Sequence, residues 1–185
     1  MDFDELVNTY VNDMYATATR LTGSQQVAED LVHDLFAQLQ TRHVNTDHVQ
    51  NPRAWLASIL YRLFVDWWRR EQRSPVKLWD NEKQMMDATE HVASEALDPL
   101  EYLERADESE KLLAALGRIG EDHRRMLIMH DVEGYTLSEL QTILGLPLGT
   151  LKSRLHRGRV KLQNQLNAYA QRMTETTRVR MGSGT

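Results

Sequence analysis

The sequence contains no cysteine among its 185 residues. Disulfide scaffolds, cysteine-ligated zinc, iron–sulfur clusters and thiol catalysis are therefore excluded, and nothing argues for secretion. No apolar run approaches the roughly 20 residues that a membrane-spanning helix needs, so we expect no membrane insertion. The polar, acidic start MDFDELVNTY is unlike a signal peptide, and we therefore expect a cytoplasmic protein.

Proline is also scarce, with four residues, and no segment shows convincing strand alternation. Hydrophobic residues make up 41% of the chain, which is enough for a folded core. The sequence predicts an all-α fold of two small helical domains joined by an acidic flexible linker. The predicted parts are a first domain at 1–73, a linker at 74–97, a second domain at 98–172 and a disordered tail at 173–185.

The first two helices are predicted from apolar residues three or four positions apart. One stripe runs from Leu6 to Leu21 and is ended by Gly23. A second runs from Ala28 to Leu39, with charged residues on the opposite face. The polar, unpatterned residues 41–51 predict a loop.

A third helix is predicted to begin with Asn51 as N-cap and Pro52 as first helical residue, and to end near Arg73. Its predicted core face is Trp55, Leu56, Ile59, Leu60, Leu63 and Trp67. The remaining large or basic side chains are Tyr61, Arg62, Phe64, Trp68, Arg69, Arg70 and Arg73. Aromatic rings mixed with arginines suit single-stranded or distorted DNA. Packing is the favoured reading for Trp55 and Trp67, and both readings stay open for Tyr61 and Trp68.

The second domain is predicted to begin with a capped helix at Asp98-Pro99 that ends near Gly120. A further helix is predicted over Glu121–Val132, with Gly134 as its stop.

Residues Thr136–Lys161 have the pattern of a helix-turn-helix. A capping box at Thr136 opens a short helix to Leu144, and a second helix follows the turn from about Gly149 to Tyr169. The predicted core positions are Leu137, Leu140, Leu144, Leu151, Leu155, Gly158 and Leu162. They leave a polar and basic surface suited to base edges and phosphates, formed by Thr150, Lys152, Ser153, Arg154, His156 and Arg157.

Charge is distributed unevenly around a net value of −5. Residues 1–51 carry eight acids and two bases, whereas residues 148–162 carry five bases and no acid. Residues 52–73 add five arginines against two acids. Two compact basic stretches in an acidic chain indicate localised phosphate contact, although each alone is also typical of a solvated helix face.

Three segments together resemble the extracytoplasmic-function (group IV) sigma factors of bacterial RNA polymerase. They are VAEDLVHDLFAQL, NPRAWLASILYRLFVDWWRR and HRRMLIMHDVEGYTLSELQTILGLPLGTLKSRLHRGRVKL. Their order and spacing are similar to the family's sigma-two and sigma-four domains.

The resemblance implies a role for each segment. Asp30, His33 and Asp34 would bind the clamp helices of the largest catalytic subunit of core RNA polymerase. The loop at 41–50 and the third helix would open and read the minus-ten element, through Tyr61, Arg62, Asp66, Trp68, Arg69 and Arg70. Thr150, Lys152, Ser153, Arg154, His156 and Arg157 would read the minus-35 element of promoter DNA. Such factors are commonly held inactive by an anti-sigma factor wedged between the two domains.

Two other classes of function remain as alternatives. A free-standing helix-turn-helix regulator would explain residues 136–162 but not the helix rich in tryptophan and arginine. An enzyme is disfavoured, because the sequence shows no glycine-rich phosphate loop and no Ser/His/Asp set. The histidines His43, His48, His123 and His130 are more typical of solvated or capping residues than of metal ligands, so we expect no metal, no cofactor and no catalytic residues.

Overall fold

The computed structural model describes residues 2–41, 49–73, 111–112 and 114–182. Its helices are α1 (Phe3–Thr22), α2 (Gln25–Thr41), α3 (Pro52–Arg73), α4 (Glu121–Leu127), α5 (Leu137–Leu144) and α6 (Leu148–Gly182). No strand occurs among the described residues, and the all-α prediction is confirmed. The predicted linker, the helix start at Asp98 and the loop residues 42–48 lie outside the described residues. No described helix is long and apolar enough to cross a membrane.

The first three helices pack against one another as the apolar stripes predicted. Asp2 caps α1 by accepting a hydrogen bond from the backbone N–H of Glu5 at 2.8 Å. Gly23, with φ of 71°, ends the same helix in the left-handed conformation that favours glycine. The stripe of α2 is buried at every predicted position, and its charged face points to solvent.

Helix α3 is packed on two sides, and this corrects the core face predicted for it. Its buried residues are Ala54, Leu56, Ala57, Leu60 and Phe64. Trp55, Ile59, Leu63 and Trp67 are only half-buried, whereas Phe64, predicted to be left over, is fully buried. The reason is that α1 and α2 cover one side of α3 while α5 covers another. A single helical stripe therefore does not describe its contacts.

The second half begins with helical residues at 111–112 and 114–118. Helix α4 follows Gly120 and ends in a π-helical turn, Ile128–Val132, before Gly134 at φ of 75°. The helical segment has the predicted bounds, but no signal in the sequence indicated the wider last turn. This turn directly precedes Glu133, which reaches the first half of the molecule.

The helix-turn-helix is formed by α5, a turn at Gly145 and α6. The predicted capping box is present, with Thr136 and Glu139 exchanging side-chain and backbone hydrogen bonds. Leu140, Leu151 and Leu155 are buried as predicted, but Ile143 is buried in place of the half-buried Leu144. Leu137 and Leu162 are also half-buried.

Helix α6 crosses α4 closely at Gly158. A Cβ atom at this glycine would lie 3.4 Å from Cβ of His123 and 3.4 Å from Cγ of Leu127. A methyl group at this position would therefore make close but ordinary van der Waals contact with α4.

The end predicted for α6 at Tyr169 is too early, because the helix continues to Gly182 through most of the predicted disordered tail. Residues 163–181 contain neither proline nor glycine. Nothing in their backbone therefore interrupts helical hydrogen bonding.

Candidate nucleic-acid interface

The recognition face of α6 is presented by buried residues behind it. Leu151 and Leu155 anchor the helix in the core of the second half. Lys152, His156 and Arg157 are exposed, while Thr150, Ser153 and Arg154 are half-buried. All six predicted residues thus lie along the first turns of one helix, where side chains reach the major groove in helix-turn-helix proteins.

Arg157 is held in place by the preceding turn. Its Nε donates to the backbone carbonyl of Ser153 at 3.2 Å, and its Nη2 donates to the Ser153 hydroxyl oxygen at 3.1 Å. The Ser153 hydroxyl in turn donates to the carbonyl of Thr150 at 3.0 Å. A guanidinium fixed in this way loses less side-chain entropy on binding a base or phosphate.

Among the basic side chains of α6, Arg159 is already paired with an acidic residue. Arg159 donates to both carboxylate oxygens of Asp131, at 3.0 and 2.5 Å. These hydrogen bonds lower the pKa of Asp131, with help from His130 and against the effect of burial. They also raise the pKa of Arg159. Arg159 is therefore a structural arginine, a role that its place in the basic stretch did not indicate.

His123 lies beneath this basic surface on α4. Burial lowers the pKa of its imidazole, and the nearby positive charges of Lys161 and Arg157 lower it further. The acidic neighbour Asp122 opposes them. These effects favour the neutral form of His123 beside α6.

The predicted minus-ten surface lies on α3. Arg62, Asp66, Arg69 and Arg70 are exposed, and Tyr61 and Trp68 are half-buried. The aromatic rings form a row along the helix, with Phe64 6.0 Å from Tyr61 and 6.5 Å from Trp68 between centroids. Trp68 also contacts the second half, since the Arg125 guanidinium lies 5.1 Å from its ring centroid.

The predicted polymerase-binding residues share the outer face of α2. Asp30, His33 and Asp34 are all exposed. Beside them, α1 and α2 enclose an open, mostly apolar groove of about 480 Å³, which His33 and Glu29 border. The acidic side chains of Asp30 and Asp34, next to an apolar groove, suit a helical partner that carries both basic and apolar side chains.

The described residues hold no group of three metal-ligating side chains close enough to bind one ion. The ring Nδ1 of His130 instead lies 2.8 Å from a carboxylate oxygen of Asp131.

Comparison with known proteins places both halves in one family. Residues 6–74 match the family model described as Sigma-70 region 2, and residues 109–162 match Sigma-70, region 4. The ECF RNA polymerase sigma factor SigL of Mycobacterium tuberculosis is 30% identical over 146 residues, which cover 77% of this chain and 76% of SigL. The chain belongs to the extracytoplasmic-function sigma factors of RNA polymerase.

Two further relatives agree with this assignment. The ECF RNA polymerase sigma factor SigE of Mycolicibacterium smegmatis is 31% identical over 168 residues, which cover 91% of this chain but 63% of SigE. Among solved structures, the sigma factor RpoE of Bartonella quintana, in complex with the anti-sigma factor NepR, has a TM-score of 0.64 and 26% identity. That match covers 90% of this chain and 97% of RpoE.

Proposed function

We propose that the chain is an alternative sigma factor that binds core RNA polymerase in the cytoplasm and directs initiation at particular promoters. Its mechanism is binding and strand opening without covalent chemistry, so it is not an enzyme. The observation that carries this proposal is the recognition face of α6, an exposed basic surface held by buried leucines, on the half that matches region 4.

The minus-35 element is read by α6 as duplex DNA. Lys152 and Arg157 are placed for guanine edges or phosphates, and Thr150, Ser153, Arg154 and His156 border them. The free N–H groups at the start of α6 add a favourable site for a phosphate.

The minus-ten element is opened and read by α3 and the loop before it. The arginines Arg62, Arg69 and Arg70 provide positive charge for the backbone, and Tyr61 and Trp68 provide rings on which unpaired bases stack. Asp66 lies on the same exposed face. This arrangement supports single-strand capture better than duplex reading.

Core RNA polymerase binds the outer face of α2. Asp30, His33 and Asp34 supply negative charge for basic residues on the clamp helices of the largest subunit, and the groove beside them accepts apolar side chains. We propose that residues 1–73 and 98–172 form the two functional domains. We expect an anti-sigma factor to bind both of these domains. The match to RpoE, solved in complex with the anti-sigma factor NepR, supports that expectation.

In vitro transcription from whole genomic DNA tests this proposal on every promoter of a genome at once. Bacterial core polymerase is incubated with genomic DNA from the source bacterium, with and without the chain, and transcript 5′ ends are mapped. We expect new start sites that share two upstream motifs only when the chain is present. No new start sites from a chain that is folded and bound to core would contradict the proposal.

A further inference from the structure

One of the exposed apolar side chains of the described residues begins the recognition helix. The large apolar residues that are exposed are Leu112, Val132, Leu148 and Val160. Leu148 is the first residue of α6, and 38% of it is exposed. A single exposed leucine is ordinary on a protein surface, so its meaning depends on where it lies and what its neighbours contact.

The turn before α6 places Leu148 at the tip of the helix. The backbone carbonyl of Pro147 accepts a hydrogen bond from the N–H of Leu151 at 3.0 Å, so the first helical turn starts at this point. Leu144 and Leu146, just before it in the chain, pack against the core, whereas Leu148 remains exposed. Helical side chains lean toward the N-terminus of their helix. The Leu148 side chain is therefore carried toward the end of α6 that contacts base edges in helix-turn-helix proteins.

The neighbours of Leu148 on α6 belong to the proposed minus-35 surface. Lys152 is exposed and follows four residues later, which places the two side chains next to each other on one face of the helix. Thr150 and Ser153 lie in the same two turns, where the Ser153 hydroxyl donates to the Thr150 carbonyl at 3.0 Å. An apolar side chain thus lies beside a lysine that is proposed to contact guanine edges or phosphates.

The major groove offers an apolar side chain one partner of its own kind. The base edges there present ring nitrogens, carbonyl oxygens and amino groups, and the apolar group among them is the C5-methyl group of thymine. Leucine packed against a polar edge would leave the hydrogen-bonding groups of that edge without partners. Contact with the methyl group instead removes apolar surface of both partners from water. The chemistry of the groove therefore selects thymine.

We propose that Leu148 is a specificity-determining residue, which contacts the C5-methyl group of a thymine in the minus-35 element. The inference rests on the proposed function and deepens it, because it adds an apolar contact to the polar and basic residues already assigned to this surface. The thymine lies beside the position that Lys152 contacts. Leu148 thus favours an A·T pair at one position of the element.

Replacement of thymine by deoxyuridine tests this contact, because the change removes the methyl group and keeps every base-pairing group. Holoenzyme is assembled from core polymerase and the chain, and the DNA is a promoter mapped in the genomic transcription experiment. Each thymine of its minus-35 element, on either strand, is replaced singly, and binding is measured by fluorescence anisotropy. We expect one replacement to weaken binding of the parent holoenzyme by about fourfold, the effect of one methyl-sized group leaving an apolar contact.

The substitution Leu148→Ala removes the other partner of the contact. We expect it to weaken binding to the thymine promoter by about fourfold or more, with core binding unchanged. The critical deoxyuridine replacement then has no further effect, because two changes that remove the same contact are not additive. Leu148→Met keeps an apolar side chain of similar size, and we expect it to retain the response to deoxyuridine.

The matched control is Val160→Ala, which removes another exposed apolar side chain from the same helix. Val160 lies about 18 Å further along the helix axis than Leu148, at 1.5 Å per residue. We expect holoenzyme with Val160→Ala to respond to deoxyuridine as the parent does. Circular dichroism and urea unfolding of the free chains show whether each variant is folded.

The parent holoenzyme alone separates failure of this inference from failure of the proposed function. A parent holoenzyme that forms no specific promoter complex would contradict the sigma-factor proposal, and the role of Leu148 with it. If the parent binds promoters but no deoxyuridine replacement weakens binding, only the thymine contact is overturned. The same conclusion follows if folded Leu148→Ala responds to deoxyuridine as strongly as Val160→Ala, or if the minus-35 motif contains no A·T pair.

Discussion

At the scale of single residues, Arg157 is the most direct probe of promoter reading. It is exposed, and its guanidinium group hydrogen-bonds to Ser153 of the same helix. We expect Arg157→Ala to weaken holoenzyme binding to minus-35-dependent promoters by about tenfold, the loss typical of one good base contact, with core binding unchanged. Filter binding or fluorescence anisotropy with holoenzyme measures this. Lys161→Ala, a charge loss further along α6, is the control.

A loss of core binding would contradict the proposed role of Arg157 in promoter reading. If Arg157→Ala reduced core binding as strongly as promoter binding, the assignment of promoter reading to α6 and polymerase binding to α2 would fail.

The Asp131–Arg159 pair gives a second residue-scale prediction, on pH dependence. The hydrogen bonds from Arg159 hold the pKa of Asp131 below its usual range. A carboxyl group with a lower pKa in the folded chain stabilises the fold above its unfolded pKa, and this contribution is lost as pH falls through the folded pKa. Because the pair is partly exposed, we expect Asp131→Asn to lower the free energy of unfolding by about 0.5 kcal/mol near neutral pH.

Urea unfolding at several pH values measures this effect. We expect the difference between Asp131→Asn and the parent chain to shrink as the pH falls through the lowered pKa of folded Asp131, and to disappear where the carboxyl group is protonated in both states. Asp122→Asn is the control, since that more exposed carboxylate lies 3.7 Å from Arg154, farther than Asp131 lies from Arg159. A penalty for Asp131→Asn that persists in acid would show that charge is not its cause.

At the scale of elements, Gly158 lies where α4 and α6 cross. An alanine Cβ here would meet its neighbours at 3.4 Å, which is close but ordinary contact. We expect the further carbons of a larger side chain to collide with these neighbours. We expect Gly158→Leu to lower the free energy of unfolding by about 1–3 kcal/mol through overpacking. Gly158→Ala is the matched control, and we expect it to be close to neutral. Equal destabilisation by both substitutions in urea unfolding would rule out this packing account.

Helix ends followed from the sequence because their signals are local. Gly23, the Asn51-Pro52 start and the Thr136–Glu139 capping box each act within a few residues, and each is found as predicted. Phe64 and the end of α6 were missed for different reasons. The burial of Phe64 depends on a second packing surface far along the chain, and α6 continues because nothing in its sequence stops it.

The candidate site shows the same division between local and long-range information. Exposure of the α6 face and of Asp30, His33 and Asp34 on α2 agrees with their periodicity. The pairing of Arg159 with Asp131 joins residues 28 positions apart, and no pattern of types or spacing indicated it. The contact between Glu133 and Arg20 spans 113 positions and follows a π-helical turn that has no recognised sequence signal.

At the scale of the whole molecule, polymerase binding and reading of the minus-35 element are assigned to different halves. The outer face of α2 carries the proposed polymerase contacts, far in sequence from the DNA contacts of α6. We expect Asp34→Lys to weaken core binding by at least about tenfold, because it places a positive charge where a basic partner binds. Its helix content is expected to stay unchanged. Asp4→Lys, an equal charge reversal at an exposed position of α1, is the control in a core-binding titration.

If Asp34→Lys bound core as tightly as Asp4→Lys, then the α2 face would not be the polymerase-binding surface. The sigma-factor proposal would then need another surface for core, and the apolar groove between α1 and α2 would be the next region to test.

Binding of the fluorescently labelled chain to bacterial core RNA polymerase tests the central claim most directly, with duplex DNA alone as the comparison. The sigma-factor proposal predicts tight, nanomolar binding to core, and the acidic net charge of the free chain predicts negligible affinity for isolated duplex. No binding to core, together with specific duplex binding by the chain alone, would contradict a sigma factor and favour a free-standing helix-turn-helix regulator.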